Sequence, residues 1–173
     1  MGLKQSLIEK KKSILERWFH LILETYPPET SKFIRKEKDR FVNPVGVTLS
    51  EGMEALYEGL LQEAEANQLS SPLEKIIQIR SVQDFSPSQA VVIVSLLKKA
   101  IQEEMKGRIE EWFDLESRID QLSLMAFDIY TKYRERVYEI RINEIKKERD
   151  RAFKLLERTD AKAKHRDPET GSG

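Results

Sequence analysis

An all-α fold is predicted: a helical bundle followed by one long C-terminal helix. Apolar residues recur at spacings of three and four through most of the chain, and Ser/Thr-x-x-Glu/Gln start signals precede several apolar runs. No proline or glycine interrupts residues 112–158. Leu3, Leu7, Ile14, Trp18, Leu21, Ile22 and Tyr26 define a first amphipathic helix, with Lys4, Lys10, Lys11, Glu16 and Arg17 between them. It ends near Tyr26, because Pro27 disfavours α geometry in the residue before it and the Pro27-Pro28 pair cannot extend the helix. Thr30 to Lys36 adds a short helix carrying Phe33 and Ile34. The stretch from Asp39 to Gly46 reads as an ordered loop. Asn43-Pro44 favours a turn, Gly46 permits positive φ, and Phe41, Val42 and Val45 supply apolar anchors.

Three start signals follow. Thr48-Leu-Ser-Glu51 reads as a capping box, Ser71-Pro-Leu-Glu74 repeats it, and Ser86-Pro-Ser-Gln89 gives it a third time. In the last two, proline stands at the first helical position, where its missing N–H costs nothing. The run Ala90 to Leu97 is nearly apolar all round and rich in β-branched residues, so alone it fits a buried strand. The Ser86-Pro87 start, the continuation from Lys98 to Met105 and the lack of a partner strand make it a central helix of about five turns. Gly107 interrupts it before a last helix beginning near Ile109 or Trp112 and running to about Arg158. Along that helix Ile119, Leu122, Ala126, Ile129, Tyr133, Val137 and Ile140 keep the spacing. After a slip near Asn143, Ile145, Glu148, Ala152 and Leu155 resume it. The pattern organises the chain as a bundle (1–130), a C-terminal extension of the last helix (131–158) and a polar, disordered tail (159–173).

Composition narrows the chemistry. The 173 residues include 30 basic and 30 acidic side chains, two histidines and no cysteine, which excludes disulfides, thiolate metal sites and thiol catalysis. The longest apolar run, Ala90 to Val94, is far short of the roughly 20 residues that cross a bilayer, and the N-terminus has no apolar signal core, so no membrane insertion and a cytoplasmic location are expected. His20, between Phe19 and Leu21, reads as a surface or half-buried helix residue, since one histidine without cysteine makes a poor metal site. The pairs Glu103-Glu104 and Glu110-Glu111 read as solvated charge, because adjacent helix residues do not face each other. No phosphate-binding glycine loop, nucleophile elbow or His-Glu-x-x-His helix is present. No catalytic, metal or cofactor residue is therefore assigned, and no enzyme is expected. Lys132, Arg134, Arg136, Arg141, Lys146, Lys147 and their basic neighbours alternate with Glu135, Glu139, Glu144, Glu148 and Asp150, which marks an exposed, salt-bridged helix rather than a nucleic-acid surface. The aromatics Trp18, Phe19, Phe33, Phe41, Trp112, Phe113 and Phe127 read as core. Trp18, Phe85 and Trp112 are the candidates for core or pocket wall, and Phe41, Asn43, Pro44 and Gly46 for a structural or partner-facing loop. Ile129, Tyr133, Val137 and Ile140 are the candidates for a dimer or output helix.

Three stretches carry a resemblance. Trp18 through Tyr26-Pro27, Phe33 and Arg40-Phe-Val-Asn-Pro-Val-Gly46 are the first, and Ile79-Arg-Ser-Val-Gln-Asp-Phe-Ser-Pro-Ser-Gln-Ala90 followed by Leu96-Leu97-Lys98 is the second. Arg118-Ile-Asp-Gln-Leu122, Ala126-Phe-Asp-Ile-Tyr130 and Tyr138-Glu-Ile-Arg141 form the third. Together, from about residue 6 to 155, they resemble the N-terminal domain of the RsbR-type co-antagonists of the RsbT kinase, in particular the RsbRD branch.

The resemblance implies a sensory input domain of bacterial stress signalling that looks like a globin without haem, forms a homodimer and passes its signal along a linker helix. In RsbR-type proteins that helix leads to a STAS domain, which carries phosphorylated threonines and assembles with RsbS and RsbT. No STAS domain follows the linker-like helix in this chain, so no phosphoacceptor carries over. Related modules also occur alone or fused to other partners, some of them associated with redox complexes. The expected function is thus non-catalytic regulation through dimerisation and ligand or partner binding. The alternatives are an accessory scaffold docking on a larger signalling or redox complex, and a nucleic-acid binder acting through the basic last helix.

Overall fold

A computed structural model describes residues 2–83, 85–106 and 112–165. Among these the secondary structure is helical, with no strand: α1 (Leu3–Glu9), α2 (Lys11–Leu23), α3 (Pro28–Lys36), α4 (Pro44–Leu61), α5 (Ala66–Val82), α6 (Pro87–Met105) and α7 (Trp112–Lys164). The chain divides into two units, Met1–Arg134 and Glu135–Gly173.

In the first unit α2 lies against α4 and α6, while α5 pairs with α4 and also touches α6. Ile14, Trp18, Leu21 and Ile22 of α2 meet Leu49, Met53 and Leu56 of α4 and Ile93, Leu97 and Ile101 of α6 in one apolar core. Gly52 sets the α4–α5 approach, since a Cβ there would stand 2.7 Å from Ile76 Cγ1 and 3.2 Å from the Pro72 carbonyl. The first part of α7 closes the core with Trp112, Ile119, Leu122, Ala126 and Tyr130. It is pinned by Arg118, which donates to the carbonyls of Leu60 (2.8 Å) and Ala64 (3.0 Å) around the end of α4.

Several local expectations are corrected. The expected first helix is two, α1 and α2, with Lys10 between them at φ −96°, ψ 8°. The boxes at Thr48 and Ser71 start nothing. Thr48 lies inside α4, which begins at Pro44, and Pro72 lies inside α5, which Glu65 and Gln68 cap. Pro72 forfeits one ladder bond, but Leu69, Leu73, Ile76 and Ile77 are all buried on one face of α5, and that packing outweighs the loss. The third box holds: the Ser86 hydroxyl accepts from the Gln89 N–H and the Gln89 side chain accepts from the Ser86 N–H. The expected break at Gly107 lies outside the described residues. At the other end α7 continues to Lys164, so residues 159–164, assigned to the tail, are helical, and 166–173 lie outside the described residues.

The aromatic residues also divide. Trp18 and Trp112 are buried and Phe19 packs on the core, but Phe33, Phe41, Phe113 and Phe127 are exposed. Of the loop's expected anchors, Val45 reaches the core while Phe41 and Val42 do not.

Tyr57 ties α4 to α1. Its buried hydroxyl donates to the Leu7 carbonyl at 2.9 Å, and burial pushes its pKa well above the ordinary tyrosine value. A phenol whose pKa is raised by folding contributes stability that is complete below the unfolded value near pH 10 and is lost as pH rises toward the folded one. Tyr57→Phe is expected to cost about 1 kcal/mol at neutral pH and to flatten the alkaline fall in stability above about pH 10, as read by urea denaturation across pH.

Candidate functional site

At the α3–α4 corner the predicted loop residues separate into a clamp and an exposed tip. Asn43 is 2% exposed, and its side-chain amide donates to the carbonyls of Ile34 (2.9 Å) and Glu37 (2.8 Å). Its Oδ1 accepts from the Gly46 N–H at 2.9 Å, which makes Asn43 the N-cap of α4, with Pro44 at the first helical position. The expected loop therefore ends at Asn43, since Pro44 and Gly46 lie inside α4, and Gly46 is required by proximity and not by a positive φ, because a Cβ would fall 2.3 Å from Asn43 Nδ2. The Phe41 side chain lies outside the clamp, 95% exposed beside Val42.

Among the described residues no ring contact links Trp18, Phe85 and Trp112 to one another. The Trp18 indole donates to the Ile93 carbonyl at 2.7 Å inside the core, and Trp112 is buried at the start of α7. A surface groove of ≈ 500 Å³ beside α1, α2 and α4 is lined by other residues, among them Ile8, Leu15, Phe19 and Met53. His20 is half-buried, with Nδ1 3.0 Å from the Glu24 carboxylate.

Phe85 belongs to a site that sequence reasoning missed. Arg80, at the C-terminal end of α5, is fully buried, and its guanidinium carbon lies 3.5 Å from the Phe85 ring centroid and 4.8 Å from that of Tyr26. The two rings meet edge to face at 87° and 5.3 Å. Arg80 Nη2 donates to Thr25 Oγ1 and to the Gln89 carbonyl, each at 2.9 Å. Nε and Nη1 are buried without a partner, and no carboxylate of the described residues pairs with the group. Burial holds the guanidinium pKa below its usual value, opposed by the nearby Tyr26 hydroxyl. The charge nevertheless stays, because an arginine does not lose its proton at physiological pH. Burying such a charge costs several kcal/mol, which ring stacking at roughly 2 kcal/mol and two charge-assisted bonds at about 2 kcal/mol each offset in part.

This cluster is joined to α7. The Tyr130 hydroxyl donates to the Phe85 carbonyl at 2.8 Å, Arg134 Nη1 to the Ser81 carbonyl at 3.2 Å, and the Tyr133 hydroxyl to the Glu74 carboxylate at 2.7 Å. Of the four residues assigned to a dimer or output helix, Ile129 packs on the core and Tyr133 is engaged by α5, while Val137 is half-buried and Ile140 exposed. A different set of apolar side chains on α7 is open to solvent. In the first unit these include Leu124 (71% exposed) and Phe127 (50%). In the second they include Tyr138, Ile142, Ile145 and Leu156, each at least 50% exposed.

The family described as the RsbT co-antagonist protein rsbRD N-terminal domain matches residues 12–145, which span both corners and most of the apolar part of α7. The chain belongs to that family. An uncharacterized protein of Archaeoglobus fulgidus is 22% identical to it over 152 residues, 85% of this chain and 92% of that protein. No solved structure matches the chain, so the likeness to globins rests on the family resemblance alone. The RsbRD_N family is a regulatory one, linked to stress signalling, and the first two of the three stretches quoted from this sequence each contain a structural clamp: Asn43 in one and Arg80 with Phe85 in the other. No helix among the described residues is long and apolar enough to cross a membrane.

Proposed function

We propose that this chain is a non-catalytic sensory module that works in the cytoplasm as a parallel homodimer, with α7 as both dimer seam and output element. One observation carries the reading. Leu124, Phe127, Tyr138, Ile142, Ile145 and Leu156 stand exposed on α7, and in the second unit Tyr138, Ile142, Ile145, Ala152 and Leu156 fall at spacings of three, four and seven. The core-facing residues Ile119, Leu122, Ala126, Ile129 and Tyr133 fall on a separate stripe. A helix of 53 residues with a second apolar stripe has the pattern of a coiled-coil partner. Charged residues of both signs, such as Glu139, Arg141, Lys146 and Glu148, flank that stripe and suit pairing across a seam.

A signal acting on the bundle reaches this seam through the bonds of Tyr130, Tyr133 and Arg134. To switch the output it must bind one packing more tightly than the other, and about 1.4 kcal/mol of difference shifts the ratio tenfold. Protein partners of a signalling or redox complex then read the state of the paired helices. Sedimentation equilibrium on the full chain at about tens of micromolar tests the reading: a dimer is expected, and a monomer throughout would overturn it.

A further inference from the structure

We propose that the α3–α4 corner is a docking knob for an acidic peptide segment of a partner protein. Apolar side chains of that segment cover Phe41 and Val42, and its carboxylates meet the cations at the end of α3. The surface lies apart from the seam proposed on α7, and the inference does not depend on the paired-helix reading.

The turn that carries Phe41 is closely bonded. The Glu37 carboxylate accepts from the Asp39 N–H at 2.9 Å, and the Asp39 carboxylate accepts from the Phe41 N–H at 2.7 Å. The Asp39 carbonyl accepts from the N–H groups of Val42 (3.2 Å) and Asn43 (2.7 Å), and Arg40 pairs with Glu51 of α4. The Asn43 clamp then fixes the base of the turn to the end of α3. What this ordered backbone holds out is a phenylalanine 95% exposed beside a valine 52% exposed. At that exposure the ring contributes almost nothing to the packing of its own chain. Adjoining apolar side chains displayed on a fixed turn mark an interaction surface, and a turn already ordered loses little entropy when a partner covers it.

The surroundings set the partner's charge. Residues 32–42 hold five basic side chains and two acidic ones, and the two acidic ones, Glu37 and Asp39, are those bonded to the turn's own N–H groups. Lys32 pairs with Glu29 and Arg40 with Glu51, which leaves Arg35, Lys36 and Lys38 as exposed cations on the corner that Asn43 ties together. Carboxylates of an incoming segment complement them. Two apolar side chains with three such cations are too few to hold the chain on a lipid surface, where even one acyl chain binds marginally, but they suit a short peptide contact.

The test selects a displayed library of random short peptides on the full chain, with the Phe41→Ser chain as the parallel bait. Peptides enriched on the wild type alone should carry an excess of Asp and Glu around apolar residues. Synthetic copies, followed by fluorescence anisotropy, should bind about tenfold or more weakly to Phe41→Ser and to the Lys36→Glu, Lys38→Glu double variant, and should weaken as salt rises. These side chains are exposed, so the urea midpoints of the variants should match the wild type. Enrichment that is the same on both baits would overturn the proposal, as would enriched peptides without an acidic excess. So would Phe41-dependent binding to phosphatidylglycerol vesicles in place of peptides. Peptide binding is read on monomer and dimer alike, so its failure is distinguishable from failure of the proposed assembly.

Discussion

Asn43→Asp should destabilise the bundle by about 3–5 kcal/mol, more than Asn43→Ala, although aspartate is as good a helix N-cap as asparagine. The reason lies in what the amide does besides capping. Oδ1 accepts from the Gly46 N–H, a role a carboxylate performs equally well, but Nδ2 donates to the carbonyls of Ile34 and Glu37. A carboxylate oxygen in that buried position would face two carbonyl oxygens with no proton to share. Alanine removes the bonds without adding the repulsion. The pH dependence separates the two variants. The introduced carboxyl would have a folded-state pKa raised above its unfolded value, since its neutral form can donate one O–H. Its deficit should therefore be full at neutral pH and shrink as pH falls through that raised value toward about 4, whereas the alanine deficit should not change in that way. Urea denaturation of both variants at neutral and acidic pH is the measurement, and an Asn43→Asp protein as stable as the wild type at neutral pH would show that Asn43 is a cap and nothing more.

The second large effect is on assembly. Ile142→Glu combined with Ile145→Glu places two carboxylates on each helix at adjoining seam positions, where the wild type has side chains 50% and 65% exposed. In a paired seam four buried negative charges should weaken association by more than about 100-fold, leaving the chain monomeric in sedimentation at concentrations where the wild type is dimeric. The same exposure means that the bundle's own stability should change by less than about 0.5 kcal/mol. A double variant that unfolds the first unit, or that sediments like the wild type, would place these isoleucines outside any seam.

The sequence makes the helical architecture plain where local signals and packing agree. Ser86-Pro87 with Gln89 caps α6 as expected, with both bonds of the capping box formed. The same logic is present at Asn43-Pro44, where an asparagine cap precedes a proline at the first helical position, yet Asn-Pro also reads as a turn and the Thr48 box offered a rival start. The donor bonds to Ile34 and Glu37 that make Asn43 irreplaceable come from the preceding helix end and leave no mark in local spacing. At Ser71-Pro72 the local signal is outvoted by Leu69, whose burial holds the helix N-terminal to the proline. Arg80 was readable in principle: Leu73, Ile76, Ile77 and Arg80 fall at spacings of three and four, which puts a cation on the buried face of α5. That no carboxylate of the described residues pairs with it depends on the tertiary surroundings and leaves no mark in local spacing. On α7 the sequence shows one apolar spacing, while in the first unit the structure separates core-facing Ile119, Leu122 and Ala126 from exposed Leu124 and Phe127.

Spin-label distances along α7 address the paired-helix account most directly. The chain has no cysteine, so Arg141→Cys, Glu148→Cys and Leu155→Cys each introduce one label site, at the same heptad position in successive heptads. A parallel, in-register seam predicts short and nearly equal distances between the two copies at all three sites, measured by pulsed electron resonance on the full chain. Absence of any distance between labels, or distances that change by about 20 Å from one site to the next as antiparallel helices require, would contradict it.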